Sequence, residues 1–183
     1  MNKVILKYAK KLLQFAVEGK ILTHVHQEMY YLNQVCAANK ILGHTLKNPL
    51  VKQEKKLAVL RAIFPNTIST LTHRFLTTVI QKQQGKLIPF IAKAFLDAYN
   101  HYKGIKIAKV TTTFPLSDTL MLQLQEIVQR ITPCKQVLFD QHVDPGLIGG
   151  YILQVEDKRI DQSLRNKLNT LQKHWMRSGD IAS

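Results

Sequence analysis

At Gly104 the spacing of apolar residues changes, and this break most constrains the fold. Before it, apolar side chains recur every three to four residues. Val25, Met29, Leu32 and Cys36 fall at i, i+4, i+7 and i+11, which puts them on one face of a helix. After it comes IKIAKVTTTF, β-branched and alternating, which reads as a strand. A chain of 183 residues that switches period in this way predicts two domains. Residues 1–104 form an N-terminal all-α six-helix bundle, and residues 105–183 form a small C-terminal α+β domain.

The six helices follow from local signals. The first carries Ile5, Tyr8, Ala9, Leu12, Phe15 and Ala16 at helical spacing, and a short third segment covers 40–47. Asn48-Pro49 is a helix start, since Asn caps and Pro suits the first helical position. That helix runs to Phe64 and Pro65 stops it. Asn66 or Thr67 opens the fifth, with Ile68, Leu71, Phe75 and Val79 as its face, and Gly85 ends it. Pro89 lies in the first turn of the sixth, which presents Ile88, Ile91 and Phe95. The second half reads strand, helix, strand, strand, helix. Ser117 caps a helix with Leu120, Leu124, Ile127 and Ile131 on its face, and Pro133 ends it. KQVLFDQHV and YILQV are strands, EDK is a turn, and Leu164, Leu168, Leu171 and Trp175 line the last helix.

The motif that invites a catalytic reading is DPGLIGGYILQVEDKRID, residues 144–161. A phosphate loop follows a strand and opens a helix, so that helix N–H groups meet the phosphate. Here the spacing is G-x-x-G-G, a strand follows Gly150, and no Lys-Ser/Thr pair comes after. Asp-Pro-Gly is a turn, and Gly149-Gly150 lets the chain bend or pass close to a neighbouring backbone. None of the seven histidines has metal-ligand spacing with a second ligand, and His24 and His26 point to different faces of a helix. Cys36 and Cys134 are far apart and form neither a disulfide framework nor a metal knuckle. No catalytic, cofactor-binding or metal-binding residues are predicted, and no small-molecule substrate.

Charge is uneven. Residues 1–104 hold 14 lysines, two arginines and four carboxylates (Glu18, Glu28, Glu54, Asp97), a net +12, whereas residues 105–183 carry a net +2. A basic half invites nucleic acid, an anionic membrane surface or an acidic protein partner. The excess is lysine spread over several helices, with only Arg61 and Arg74 among it and no groove-reading helix. A basic helical nucleic-acid-binding protein is therefore the alternative reading. No apolar run reaches the roughly 18 residues of a membrane helix. MNKVILKYAKKLLQF reads as a first amphipathic helix, not a signal peptide; a transit peptide, also basic, is usually Arg- and Ser-rich.

Taken together, the chain resembles the delta subunit family of F-type ATP synthases, whose mitochondrial counterpart is the oligomycin-sensitivity-conferring protein. The residues that carry the resemblance are Leu147, Ile148, Gly149, Gly150, Tyr151, Asp157, Lys158, Ile160, Asp161, Ser163, Arg165 and Leu168, with Tyr8-Ala9 and Gln84-Gly85-Lys86-Leu87 as further matches. The chain departs at Gln162, where the family often has Gly, and at Gln84 and Lys86. The resemblance implies a non-catalytic stator subunit. The bundle would bind the N-terminal segments of the alpha subunits in a groove between its first and fifth helices, lined by Tyr8, Leu12, Phe15, Leu76 and Ile80. The C-terminal domain would hold the b-subunit peripheral stalk, with Leu164, Leu168 and Leu171 as contacts. Gly149, Gly150, Asp157, Asp161 and Arg165 would be structural. Membrane association would be indirect, through the complex. The lack of a presequence leans toward a bacterial source and the cytoplasmic side of the plasma membrane.

Overall fold

The structure is a computed structural model that describes residues 3–48, 50–64 and 68–179, and the side chains of all of these except Lys40 and 173–179. The chain is mostly helical, with one small sheet in its C-terminal part. It divides into two units, Met1–Tyr102 and Lys103–Ser183.

The first unit contains six α-helices among the described residues: α1 (Lys3–Glu18), α2 (Leu22–Ala38), α3 (Lys40–Lys47), α4 (Gln53–Ile63), α5 (Thr70–Gln81) and α6 (Ile88–Lys103). Each contributes to one apolar core. In α1 the buried residues are Ile5, Ala9, Leu12 and Ala16, at i, i+4, i+7 and i+11. Two of these are alanines, which let neighbouring helices approach closely. The core face of α2 is Val25, Met29 and Leu32. Asn39 starts α3, its Oδ1 accepting from the N–H groups of Ile41 (3.0 Å) and Leu42 (3.3 Å).

Two helix starts differ from the sequence reading. Asn48 does not open α4; its Oδ1 accepts from Leu50 N at 2.9 Å and makes a local turn. The helix begins at Gln53. Pro49, Pro65, Asn66 and Thr67 lie outside the described residues. The cap of α5 is Ser69, whose Oγ accepts from Thr72 N at 3.3 Å. Glu28 reaches across from α2 to the same residue. Its carboxylate accepts from Ser69 N at 2.6 Å and from Ser69 Oγ at 2.8 Å. A charge-assisted pair of this kind fixes one helix end against another. Between α2 and α6, His26 stacks on Tyr99 with ring centroids 3.9 Å apart. Burial lowers the pKa of this histidine, because water no longer solvates its charged form.

The second unit runs β1 (Ile105–Thr112), α7 (Asp118–Ile131), β2 (Gln136–Val143), β3 (Tyr151–Val155), β4 (Lys158–Asp161) and α8 (Leu164–Gly179). The sheet order is β2-β1-β3-β4. β1 and β2 are parallel, with Ala108 opposite Phe139, as a crossover through α7 requires. β3 runs antiparallel to β1 and to β4. Ala108, Val110, Val137, Leu153 and Val155 from the sheet meet Leu124 and Val128 of α7. The Ser117 Oγ accepts from Leu120 N at 3.3 Å and caps α7. The fourth strand is absent from the sequence reading. Lys158, Arg159, Ile160 and Asp161 offer one apolar side chain in four, too few to show alternation.

Candidate functional site

The glycine motif is a mounting for α8. Gly150 has φ +79°, a conformation that side chains disfavour, and a Cβ there would lie 2.2 Å from the Gln162 carbonyl oxygen. The approach is close because the two segments are hydrogen-bonded. Gln162 N donates to Tyr151 O and Leu164 N donates to Gly149 O, each at 2.9 Å. At Gly149 a Cβ would meet the Leu164 side chain at 2.6 Å. Asp161 completes the mounting. Its Oδ1 accepts from Ser163 Oγ at 2.6 Å and from Ser163 N at 3.1 Å. Those bonds hold its carboxyl below the usual aspartate range. Ser163 in turn caps α8, its Oγ accepting from Asn166 N at 3.2 Å. Asp157 sits in the two-residue turn between β3 and β4, and Arg165 is exposed in the first turn of α8.

Beyond that N-terminal mounting, α8 stands clear of its unit as far as Gln172. Every side chain from Leu164 to Gln172 is exposed. Leu164, Leu168 and Leu171 are 46%, 55% and 56% exposed and share one stripe. Helices in proteins draw most of their stability from a packed apolar face. A helix that shows water such a face offers it to a partner. The side chain of Trp175, the fourth residue of the predicted stripe, lies outside the described residues.

The predicted alpha groove is divided by the structure. Leu12, Leu76 and Ile80 are core residues, with 0%, 3% and 2% exposure, so they cannot line a groove open to a peptide. The correction has a simple cause. On α5 the buried face is Thr72, Leu76, Val79 and Ile80, while Ile68, Leu71 and Phe75 sit at the core margin. Both stripes are apolar, and spacing alone does not say which turns inward. Phe15 does face outward, and Tyr8 is half-buried at the core margin. Phe15 is 52% exposed, and Tyr8 packs edge-on against Phe75 with centroids 6.0 Å apart. Val4, Tyr8, Lys11 and Phe15 thus form one side of α1, at i, i+4, i+7 and i+11. The other side of α1, with Leu6, Leu13 and Val17, borders a groove against α6 that the sequence reading misses. Its signal was the pair of alanines Ala94 and Ala98, spaced i, i+4.

These features define a two-unit protein that offers helix surfaces and, among the described residues, holds no group of three or more metal-ligating side chains. No helix among the described residues is long and apolar enough to cross a membrane. Comparison with known proteins makes the assignment specific. Residues 4–175 match the family model described as ATP synthase delta (OSCP) subunit. ATP synthase subunit delta of Amoebophilus asiaticus is 37% identical over 173 residues, covering 94% of each chain. That of Cytophaga hutchinsonii is 30% identical over 170 residues, covering 93% of this chain and 92% of its own. A chain in the mitochondrial ATP synthase hexamer of Toxoplasma gondii shares the fold, with TM-score 0.70 at 20% identity over 96% of this chain and 98% of that one. The chain belongs to the ATP synthase delta (OSCP) subunit family. It is a structural, non-catalytic subunit of the ATP synthase stator.

Proposed function

We propose that the first unit acts as a six-helix bundle docked on the catalytic head, and that the second unit, from about residue 105 on, grips the far end of the peripheral stalk. In this reading the N-terminal segments of the alpha subunits lie as amphipathic helices along the outer side of α1 and the margin of α5. Tyr8 and Phe15 supply the apolar contact. Lys7 and Lys11 on α1 and Arg74 on α5, all exposed, surround it. Acidic-flanked segments fit such a face, and salt weakens their docking.

The b-subunit stalk packs along Leu164, Leu168 and Leu171. The mechanism is mechanical. Rotor torque pushes the head round, and a tether fixed at both ends holds it still. A contact that must not slip calls for nanomolar affinity, about −12 kcal/mol, which a few buried aromatic and aliphatic side chains can supply. The protein meets the membrane only through the complex, on the cytoplasmic side of a bacterial plasma membrane. It needs no cofactor, nucleic acid or small-molecule substrate.

The observation that best supports this reading is the α8 stripe, hydrogen-bonded at one end and exposed from Leu164 to Leu171. Calorimetric titration with a peptide of about the first 20 residues of the alpha subunit tests the other end. One-to-one nanomolar binding is expected, weakened at least tenfold in Tyr8→Ala and in Phe15→Ala. Unchanged binding in both variants would remove this face of α1 from the interface.

A further inference from the structure

We infer that the groove between α1 and α6 is a separate helix-docking site whose occupant is an amphipathic helix flanked by Lys or Arg. This goes beyond head docking at Tyr8 and does not depend on it.

Shape is the first reason. The groove encloses ≈ 720 Å³. Half-buried Ala98 is its small residue, with Ala9 and Ala94 buried beneath it, and Leu6, Leu13 and Tyr102 are its large ones. Small side chains let an incoming helix backbone come close, and large ones grip its sides. The lining on α1 runs from Leu6 to Glu18, about three helical turns. Leu6 and Tyr102 keep apolar surface in water here, which a docked apolar stripe would cover.

Charge decides what kind of helix fits. The first half of the chain carries +12 and only four carboxylates. Glu28 is occupied at the α5 cap, and Glu54 lies in the first turn of α4. The other two, Glu18 and Asp97, both border this groove, against a single lysine, Lys10, and His101. Asp97 forms no ion pair among the described residues, and Glu18 accepts a hydrogen bond from Gln14 Nε2 at 2.9 Å. The groove is thus a local acidic site on a strongly basic unit. A Lys- or Arg-flanked helix gains here. An acidic-flanked one meets like charge and is drawn to the lysine-rich side of α1 instead. The two sides of one helix would sort two kinds of partner.

The test uses the full-length chain and two fluorescein-labelled synthetic peptides of about 17 residues, roughly the length of the groove plus a turn. Both carry the same Leu/Ala stripe; one has Lys flanks and the other Glu flanks. The +12 surface attracts the Glu peptide non-specifically, so a preference for Lys is diagnostic. With the outer face of α1 disabled by Tyr8→Ala/Phe15→Ala, anisotropy titration should show the Lys peptide binding at least tenfold more tightly than the Glu peptide. Asp97→Lys with Glu18→Lys should erase that preference, and both positions are exposed, so the variant is expected to fold. Ala98→Trp should fill the groove and abolish binding, while Tyr8→Ala should leave it unchanged. Equal binding of the two peptides, tighter binding of the Glu peptide, or no binding of either would overturn the inference. So would a dimer in sedimentation that Ala98→Trp dissolves, since a second copy would then be the occupant.

Discussion

Gly150 and Gly149 stand side by side yet are required to different degrees. At Gly150 both the positive φ and the Gln162 carbonyl 2.2 Å away oppose a Cβ, and backbone cannot move aside cheaply. Gly150→Ala should cost about 3 kcal/mol or more, from overpacking and left-handed strain together. At Gly149 the obstacle is the end of the Leu164 side chain, which is exposed and can rotate. Gly149→Ala should cost about 1 kcal/mol. Chemical denaturation of the two variants tests the contrast. That glycines here allow a close backbone approach was legible in the motif. Which backbone approaches was not, because Gln162 is 12 residues away and no local pattern points to it.

Asp161 adds a pH dependence of known sign. Its folded pKa is lowered by its bonds from Ser163, so its stabilisation is complete above the ordinary aspartate value, about 3.9. It is lost as pH falls through the lower folded value. Asp161→Ala should therefore lower stability near neutral pH, by no more than about 1 kcal/mol because water screens this carboxylate. The difference from wild type should shrink below about pH 4, which thermal melts across that range would measure.

Among the helices, α1 and α5 show where periodicity stops being informative. Both have apolar residues on more than one side, so the helices were legible but their rotation was not. The structure puts Leu12 at the centre of the core and Phe15 at the surface. Leu12→Ala should cost about 3 kcal/mol through the cavity it leaves. Phe15→Ala should change stability by no more than about 0.5 kcal/mol while weakening alpha-peptide binding. For α8 the stripe was equally clear in sequence, but a leucine stripe is also what a core helix shows. Only its exposure separates the two. Leu168→Ser should leave the melting of the free protein nearly unchanged and reduce binding of a b-subunit stalk fragment at least tenfold, a loss of about 1.4 kcal/mol.

At the scale of the whole chain, the break near Gly104 was plain because helices and strands impose different periods on the same apolar alphabet. The polar strand β4 and the turn-forming role of Asn48 were hidden, since each depends on partners that spacing does not reveal. The lysine excess was also visible, but the placement of Glu18 and Asp97 around one groove needed the fold. The central claim is that one chain holds two partners at once, one on each unit. Sedimentation velocity on a mixture of the full-length protein, the alpha N-terminal peptide and a soluble b-stalk fragment tests it most directly. A single 1:1:1 complex is predicted, losing only the peptide in Tyr8→Ala/Phe15→Ala and only the fragment in Leu168→Ser. Mutually exclusive binding, or loss of both partners from either variant in a folded protein, would contradict it.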